Sequence, residues 1–409
     1  MRKNRMLGVA VLALALATGM TVNTVKADTN STITTQSQEN NANQNITPVD
    51  AAADANKITL SSDYINAVKN FANGNGSASD VENKAQGLFN QYTTEDNSSQ
   101  GKRPRKVIYH DVDADKQEVV NDYKHLTDGQ AKELSNFTAS IINNLRSQFG
   151  SKQVYVTDDS VKLAKDDVDQ AYVSKNWNVW EVNAAGDGID NKSHNSAELR
   201  NFQKSKQLMG YSENISMGPN VFLYTTNGQT GKRTAQIYST AQGTVTMNDL
   251  KKWAFDGIIR MLFDDSASNW GHATNFLVDM DSSVKNTPVK YREVWGVASD
   301  QNGFFHYLGY GVPDKDTIPE DEVYLGVDGV SLVDYPTYGV SFKTRTKAQT
   351  QAAATTTQAA APKATVAKKT TAKKVVKKTA KKTTKKSKKS TKKAKKSKKH
   401  AKKAKKSKK

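Results

Sequence analysis

The sequence predicts an α+β domain with helices packed on a mainly antiparallel sheet, and three observations carry that expectation. Apolar residues recur at one-face helical spacing in several stretches, most clearly from Leu134 to Phe149 and from Leu250 to Leu262. Two β-branched and aromatic runs flank Ser299-Asp300-Gln301-Asn302-Gly303, whose Asn-Gly pair is a hairpin signal. Helical patterns come first, two strand-like runs interrupt them, and the hairpin comes last. Helices layered on an antiparallel sheet follow from that order.

Residues 28–57 are rich in Asn, Thr, Gln, Ser and Ala and are expected to form a disordered spacer. Leu60, Tyr64, Val68 and Phe71 predict a short helix after Ser61 and Ser62, and a second helical piece is expected near 81–92. Between them and up to 126, Gly, Asn, Ser and basic residues suggest a loosely helical, peripheral region. The domain proper is placed at 127–312. It opens on Thr127-Asp128-Gly129-Gln130, a capping box, followed by the stripe Leu134, Phe137, Ile141, Leu145 and Phe149 and the stop signal Gly150. A second helix is expected from 157–160 onward, with Val161, Ala164, Val168 and Ala171 on one face. A third follows His194, with Ser196 as its N-cap and Leu199 and Phe202 sharing a side. Thr246-x-x-Asp249 opens a fourth, in which Leu250, Trp253, Gly257, Ile258, Met261 and Leu262 align. Strands are expected over 220–225, 235–240, 289–298 and 304–312. Residues 313–345 form a C-terminal extension that either adds strands or stands apart.

The two ends differ from this body. Met1, Arg2, Lys3 and Arg5 precede an apolar run too short for an ordinary membrane span, and Val25-Lys26-Ala27 offers a small-x-small cleavage site. Residues 1–27 therefore read as a secretory signal peptide. Residues 363–409 hold 25 lysines and no acidic residue. With those charges and the four basic residues of 1–27 set aside, the chain's net charge of +19 leaves −10 on residues 28–362. The body is acidic and the tail, 346–409, is a disordered Lys-, Ala-, Thr- and Ser-rich polycation. Its lysine doublets cannot read a base sequence. They bind any dense polyanion, nucleic acid included, in a salt-dependent way. Export points instead to the teichoic acid phosphates of a Gram-positive wall. No L-P-x-T-G type sorting signal is present. There are no cysteines, so thiolate catalysis and cysteine-held metals are excluded, and no G-x-x-x-x-G-K-[ST], H-E-x-x-H or G-x-S-x-G motif occurs.

Two histidine stretches carry the candidate chemistry. One is Ser193-His194-Asn195-Ser196 with Arg200 and, further on, Tyr211-Ser212-Glu213-Asn214-Ile215-Ser216; the other is Gly271-His272-Ala273-Thr274-Asn275-Phe276-Leu277. Their order, with the aromatic-bearing helix between them and the Gly- and Tyr-rich hairpin after them, resembles the CAP superfamily of cysteine-rich secretory, antigen 5 and pathogenesis-related proteins. The likeness is nearest to its bacterial branch and to surface-exclusion proteins of the lactobacillus type. The resemblance covers under half of the chain. It implies an α-β-α sandwich with a cleft floored by two histidines and two acids. Carried over residue by residue, these are His194, Glu213 and His272. The second acid matches Asp256 in Trp253-Ala254-Phe255-Asp256, where Asp stands in place of Glu, with Asp264 and Asp265 as alternatives.

Three uses of such a cluster stay open. His194 and His272 with a carboxylate and water suit Zn²⁺ with an open position. A His–Glu pair can also act as an acid/base couple without metal. Finally, His194 and Glu213 can simply pin two loops together. The expected function is a secreted, wall-associated surface protein that presents a binding domain; a metal-dependent extracellular hydrolase and a secreted nucleic-acid binder are the alternatives. His306, in the aromatic run Phe304-Phe305-His306-Tyr307, is expected to be a half-exposed strand residue. The five tryptophans are expected to pack in the core rather than line a sugar or lipid groove.

Overall fold

The computed structural model describes residues 49–96, 105–280, 289–318, 324–326 and 328–342. The leader, the spacer up to residue 48 and the lysine-rich tail lie outside the described residues.

Helices α1 (Ala51–Ala55), α2 (Ser62–Ala72) and α3 (Ala78–Tyr92) come first, each opened by a side-chain cap, from Asp50, Ser61 and Ser77. Strands β1 (Thr93–Glu95) and β2 (Arg105–Val107) pair with each other, and α4 (Asp113–Gln117) and β3 (Val119–Val120) follow. Next are α5 (Asp128–Phe149), β4 (Val154–Tyr155) and α6 (Asp158–Val168), which runs into one π-helical turn, Asp169–Val173. The chain continues through β5 (Trp180–Val182), β6 (Ile189–Asn191), α7 (Ser196–Ser205), β7 (Gly210–Ser216), β8 (Asn220–Thr226), β9 (Arg233–Ser239) and β10 (Val245–Thr246). It ends in α8 (Met247–Phe263), α9 (Gly271–Leu277), β11 (Tyr291–Ser299) and β12 (Phe305–Pro313).

The fold is α+β, and its central sheet has the strand order β4-β11-β12-β7. Strand β12 runs antiparallel to both β11 and β7, while the short β4 runs parallel to β11. Side chains alternate between the two faces of a strand. On one face Trp295, Val297, Phe305 and Tyr307 join the core formed by α2, α3, α5, α8 and α9. On the other, Val294, Ala298, Leu308, Tyr310 and Val312 meet α6, the π turn and α7. Every position of β12 is buried. The sheet is thus a filling between two helical layers, with β4 and β7 as its edges. A Cβ on Gly257 would stand 2.6 Å from that of Ser216, so glycine is what lets α8 lie close against β7.

The capping boxes at Thr127 and Thr246 form as the local pattern predicts, and Gly150 ends α5 in the left-handed region at φ 87°. The last hairpin turns through Asp300–Gly303, with Gly303 at φ 80°. Runs 220–225 and 235–240 pair as β8 and β9, a hairpin separate from the central sheet.

The region at 58–126 differs from the expectation of a loose periphery. Ile58, Leu60, Tyr64, Val68, Val81, Ala85, Leu88 and Phe89 are all buried in the same core as α5 and α8. Tyr64 also donates its hydroxyl hydrogen to the carbonyl of Leu262. The Asn- and Gly-rich composition describes only the outer faces and turns of these helices. The end of the expected spacer is ordered as well, because α1 packs on α5 and Asp50 reaches Lys251. Lys251 is 3% exposed and meets Asp50 at 3.0 Å, Asp115 at 2.9 Å and Glu133 at 2.8 Å. Burial would lower its pKa, but these three carboxylates outweigh that and raise it. One ammonium therefore clasps α8 to the amino-terminal arm, α4 and α5.

The extension beyond 312 adds no further strand among its described residues, only an isolated bridge between Leu325 and Ser331. It packs on the body instead, through Ile318, Leu332 and Tyr335 against Met209, Val289 and Tyr291.

Candidate functional site

The site lies at β7, where the two helical layers come together past the sheet edge. Glu213 and Ile215 point to the layer of α6 and α7, while Asn214 and Ser216 point to the layer of α8 and α9. His194 comes from the first layer and His272 from the second, and their ring centroids stand 6.4 Å apart.

His194 ends the loop that leads into α7. Ser193 sits at φ 60°, and its carbonyl accepts the indole N–H of Trp177 at 3.1 Å. Asn195, not Ser196, occupies the N-cap position, and it makes no side-chain cap. Its amide instead donates to Ala171 O at 2.7 Å and its backbone N–H to the Tyr172 hydroxyl at 3.3 Å. The π turn thus holds the His194 loop from behind. Such single-turn π insertions shift the side-chain register of a helix, and here the shift delivers Tyr172 to the site.

Glu213 is the hub. Its side chain is 1% exposed, and its Oε2 accepts from His194 Nδ1 at 2.7 Å and from the Tyr172 hydroxyl at 2.6 Å. Its Oε1 lies 2.7 Å from Nδ1 of His306. Burial alone would raise this carboxyl, but the hydrogen bonds and charges of His194 and His306 outweigh it and hold the group down at about 2. An ionised carboxylate only accepts, so Nδ1 of both histidines carries the hydrogen.

His306 is fully buried, which corrects the expectation of a half-exposed strand residue. It lies opposite Ile215 in the β12–β7 register and packs its ring 4.4 Å from that of Tyr172. Its Nε2 faces Asp300 Oδ2 at 3.6 Å, an ion-pair distance beyond hydrogen-bond range. Asp300 is itself fixed, since its Oδ1 accepts the N–H groups of Asn302 and Phe304 in the hairpin turn. Burial would lower the imidazole, but Asp300 and Glu213 overcome this and raise it to about 9. Nearby, Asp167 accepts from the Tyr310 hydroxyl at 2.9 Å; burial first, and the Glu213 charge second, push its carboxyl up to about 8.

His272 stands in the first turn of α9. Asp265 binds it twice: Oδ1 accepts from Nδ1 at 2.7 Å, and Oδ2 accepts its backbone N–H at 3.0 Å along with that of Ala273 at 3.3 Å. Asn269 and Trp270 turn through the left-handed region, at φ 50° and 60°, so that Asp265 can reach the helix start from outside it. Asn214 ties the layers together, donating to His272 O at 3.0 Å and accepting from Asn275 at 3.0 Å.

The structure thus brings together His194, Glu213 and His272, and the second acid beside them is Asp265. Asp256 is a correction. It pairs with Arg260 one turn along α8 at 3.1 Å, whereas the acid that holds His272 is Asp265. Asp264 caps the end of α8. Tyr172, Asp300 and His306 were not foreseen. The signal for His306 was a charged-capable residue inside an unbroken aromatic run, the pattern of a strand buried on both faces, where a polar group must find a partner.

Both histidines are partly exposed, 30% for His194 and 20% for His272, and each is braced at Nδ1 by a carboxylate. That leaves Nε2 as the outward atom of both rings. Braced imidazoles are how metal ligands are oriented. However, Glu213 and Asp265 are spent on the bracing, which leaves two donors where zinc takes three or four from protein. Among the described residues no three His, Asp or Glu side chains are grouped to hold a metal. The side chains present do not fit a protein-held zinc.

Among the described residues no helix is long and apolar enough to cross a membrane. No family model matches the sequence, and no curated protein does. Among solved structures the chain is similar to the CAP domain of enterococcal PrgA, with 22% sequence identity, a TM-score of 0.31, and coverage of 50% of this chain and 70% of that one.

Proposed function

We propose that this is a surface protein of the CAP type, exported and retained on anionic wall polymers such as teichoic acids by its lysine tail, whose body presents a ligand-binding cleft. The observation that carries the cleft is the pair of partly exposed imidazoles, each locked in orientation by its own buried carboxylate and meeting at one sheet edge. Bracing of that kind preorganises a polar contact surface and reduces what ligand binding must spend on ordering side chains. The tail reading rests on composition: 25 lysines without one acidic residue, on a body of opposite charge.

Removing residues 363–409 is expected to shift the protein from the wall fraction of its cells to the medium. Unchanged wall retention sinks the tail reading. For the cleft, wild type, His194→Ala and His272→Ala are compared in the full chain for Zn²⁺ uptake and for product release from wall fragments and peptides. The binding reading expects no turnover from any of the three. Product that requires both histidines replaces that reading with hydrolysis, in which a braced His194 Nε2 would serve as general base.

A further inference from the structure

Behind the cleft lies a second tier of ionisable groups that the binding surface does not itself display. Asp300, His306, Glu213 and His194 form a line of alternating acid and imidazole, from the hairpin turn to the cleft wall. The first three are buried. His306 Nε2 and Asp300 Oδ2 have no hydrogen-bond partner, so the contact between them is charge against charge. The groups facing His306 come from every element around it: Asp300 from the turn, Glu213 from β7 and the Tyr172 ring from the π turn, with Asp167 of α6 beyond.

We propose that His306 and Asp300 are positioning residues for the cleft: by holding one oxygen of Glu213 they keep the other as the acceptor for His194, so that His194 carries its hydrogen on Nδ1 and turns the Nε2 lone pair outward. The inference rests on the reading that the two imidazoles form the ligand-facing wall. The reasoning is electrostatic. A carboxylate this deeply buried stays charged only with compensation, and among the described residues His306 is the fully buried imidazole in contact with it. Without that charge the carboxyl takes up a proton and becomes a donor. A proton held on Oε2, the oxygen that faces His194, is donated to Nδ1, which then accepts, and the ring's own hydrogen moves to Nε2. The cleft face of the ring changes from acceptor to donor with no change in backbone path. His272 is independent of this line, because Asp265 braces it from the other layer.

The tautomer is measured without any ligand, so failure of ligand binding and failure of this device are told apart. The measurement is long-range ¹H–¹⁵N correlation on the full chain labelled with ¹⁵N-histidine, read on neutral His194. Wild type is expected to show Nδ1 protonated; an Nε2-protonated wild type overturns the proposal directly. In His306→Gln, which keeps an amide donor but no charge, the Nε2-protonated form is expected to become the major one. Asp300→Asn keeps an acceptor for Asn302 and Phe304 and removes only the facing charge. It should shift the ratio the same way to a smaller extent, and it decides the matter if His306→Gln does not fold. His194 unchanged in a folded variant overturns the proposal. So does an equal change at His272, which would mark general loosening rather than positioning.

Discussion

Arg146→Met is expected to lower the unfolding free energy by about 3–5 kcal/mol, the usual cost of stripping one partner from a buried ion pair. Arg146 is 1% exposed on α5 and meets Glu293 of β11 at 2.8 Å. Trp295 adds its indole N–H to the same carboxylate at 2.6 Å. The guanidinium also donates to Phe276 O at 2.8 Å and Val278 O at 3.3 Å, satisfying carbonyls at the end of α9 that have no helical partner. Methionine fills the space but leaves Glu293 without its counter-charge and those carbonyls bare. Chemical denaturation measures the loss, and a variant within about 1 kcal/mol of wild type contradicts the assignment. Adding Glu293→Met should restore part of it, since an apolar pair of similar volume is often neutral or better. The same change should loosen α9, which carries His272, and faster amide exchange at 273–277 would report it.

The second large effect is with pH. His306 is raised from 6.5 to about 9 in the fold, so the stability it contributes is complete below pH 6.5 and is lost as pH rises through 9. Asp167, raised from 3.8 to about 8, acts in the same direction: its contribution is complete below pH 3.8 and is lost as pH rises from there through 8. Glu213, held at about 2 against 4.5, gives stability that is present above pH 4.5 and is lost as pH falls through 2. Glu213 and His306 by themselves set a maximum near pH 4.5–6.5, Asp167 tilts it to the acid end near pH 4.5, and His306 alone gives an alkaline decline of about 3 kcal/mol, at 1.36 kcal/mol per pH unit. Glu213 and His306 hold each other's charge, so their contributions are not added. Denaturation midpoints measured from pH 6 to 9.5 test this. A flat profile would exclude a charged His306, and His306→Gln should remove the slope above pH 8, where Asp167 no longer contributes, and part of it below.

Whatever depends on neighbours in the chain was readable beforehand. The capping boxes at Thr127 and Thr246 need a hydroxyl and an acceptor three residues apart, and the hairpin turn needs Asp300, Asn302 and Gly303 in place. Convergence of His194, Glu213 and His272 was also anticipated, though only through motif order. What stayed hidden depends on which strand lies beside which. Nothing local says that β12 pairs with β7, and without that register His306 cannot be seen beside Glu213. The choice among Asp256, Asp264 and Asp265 was settled by direction. Asp256 projects along α8 to Arg260, whereas Asp265 lies past the helix end, where two left-handed residues bring α9 back to it. The early helices were underrated because composition averages their outer and inner faces.

The Lys251 clasp sets where this molecule can be cut. A piece trimmed to start at Thr127, where the sequence patterns first become strong, would lose Asp50 and Asp115 and leave Lys251 with Glu133 alone. It would also strip the cover from the faces of α5 and α8 on which the first three helices lie, turning interior apolar surface into a sticky exterior. A piece that keeps both the clasp and the packing of the extension must include Asp50 and reach past Tyr335.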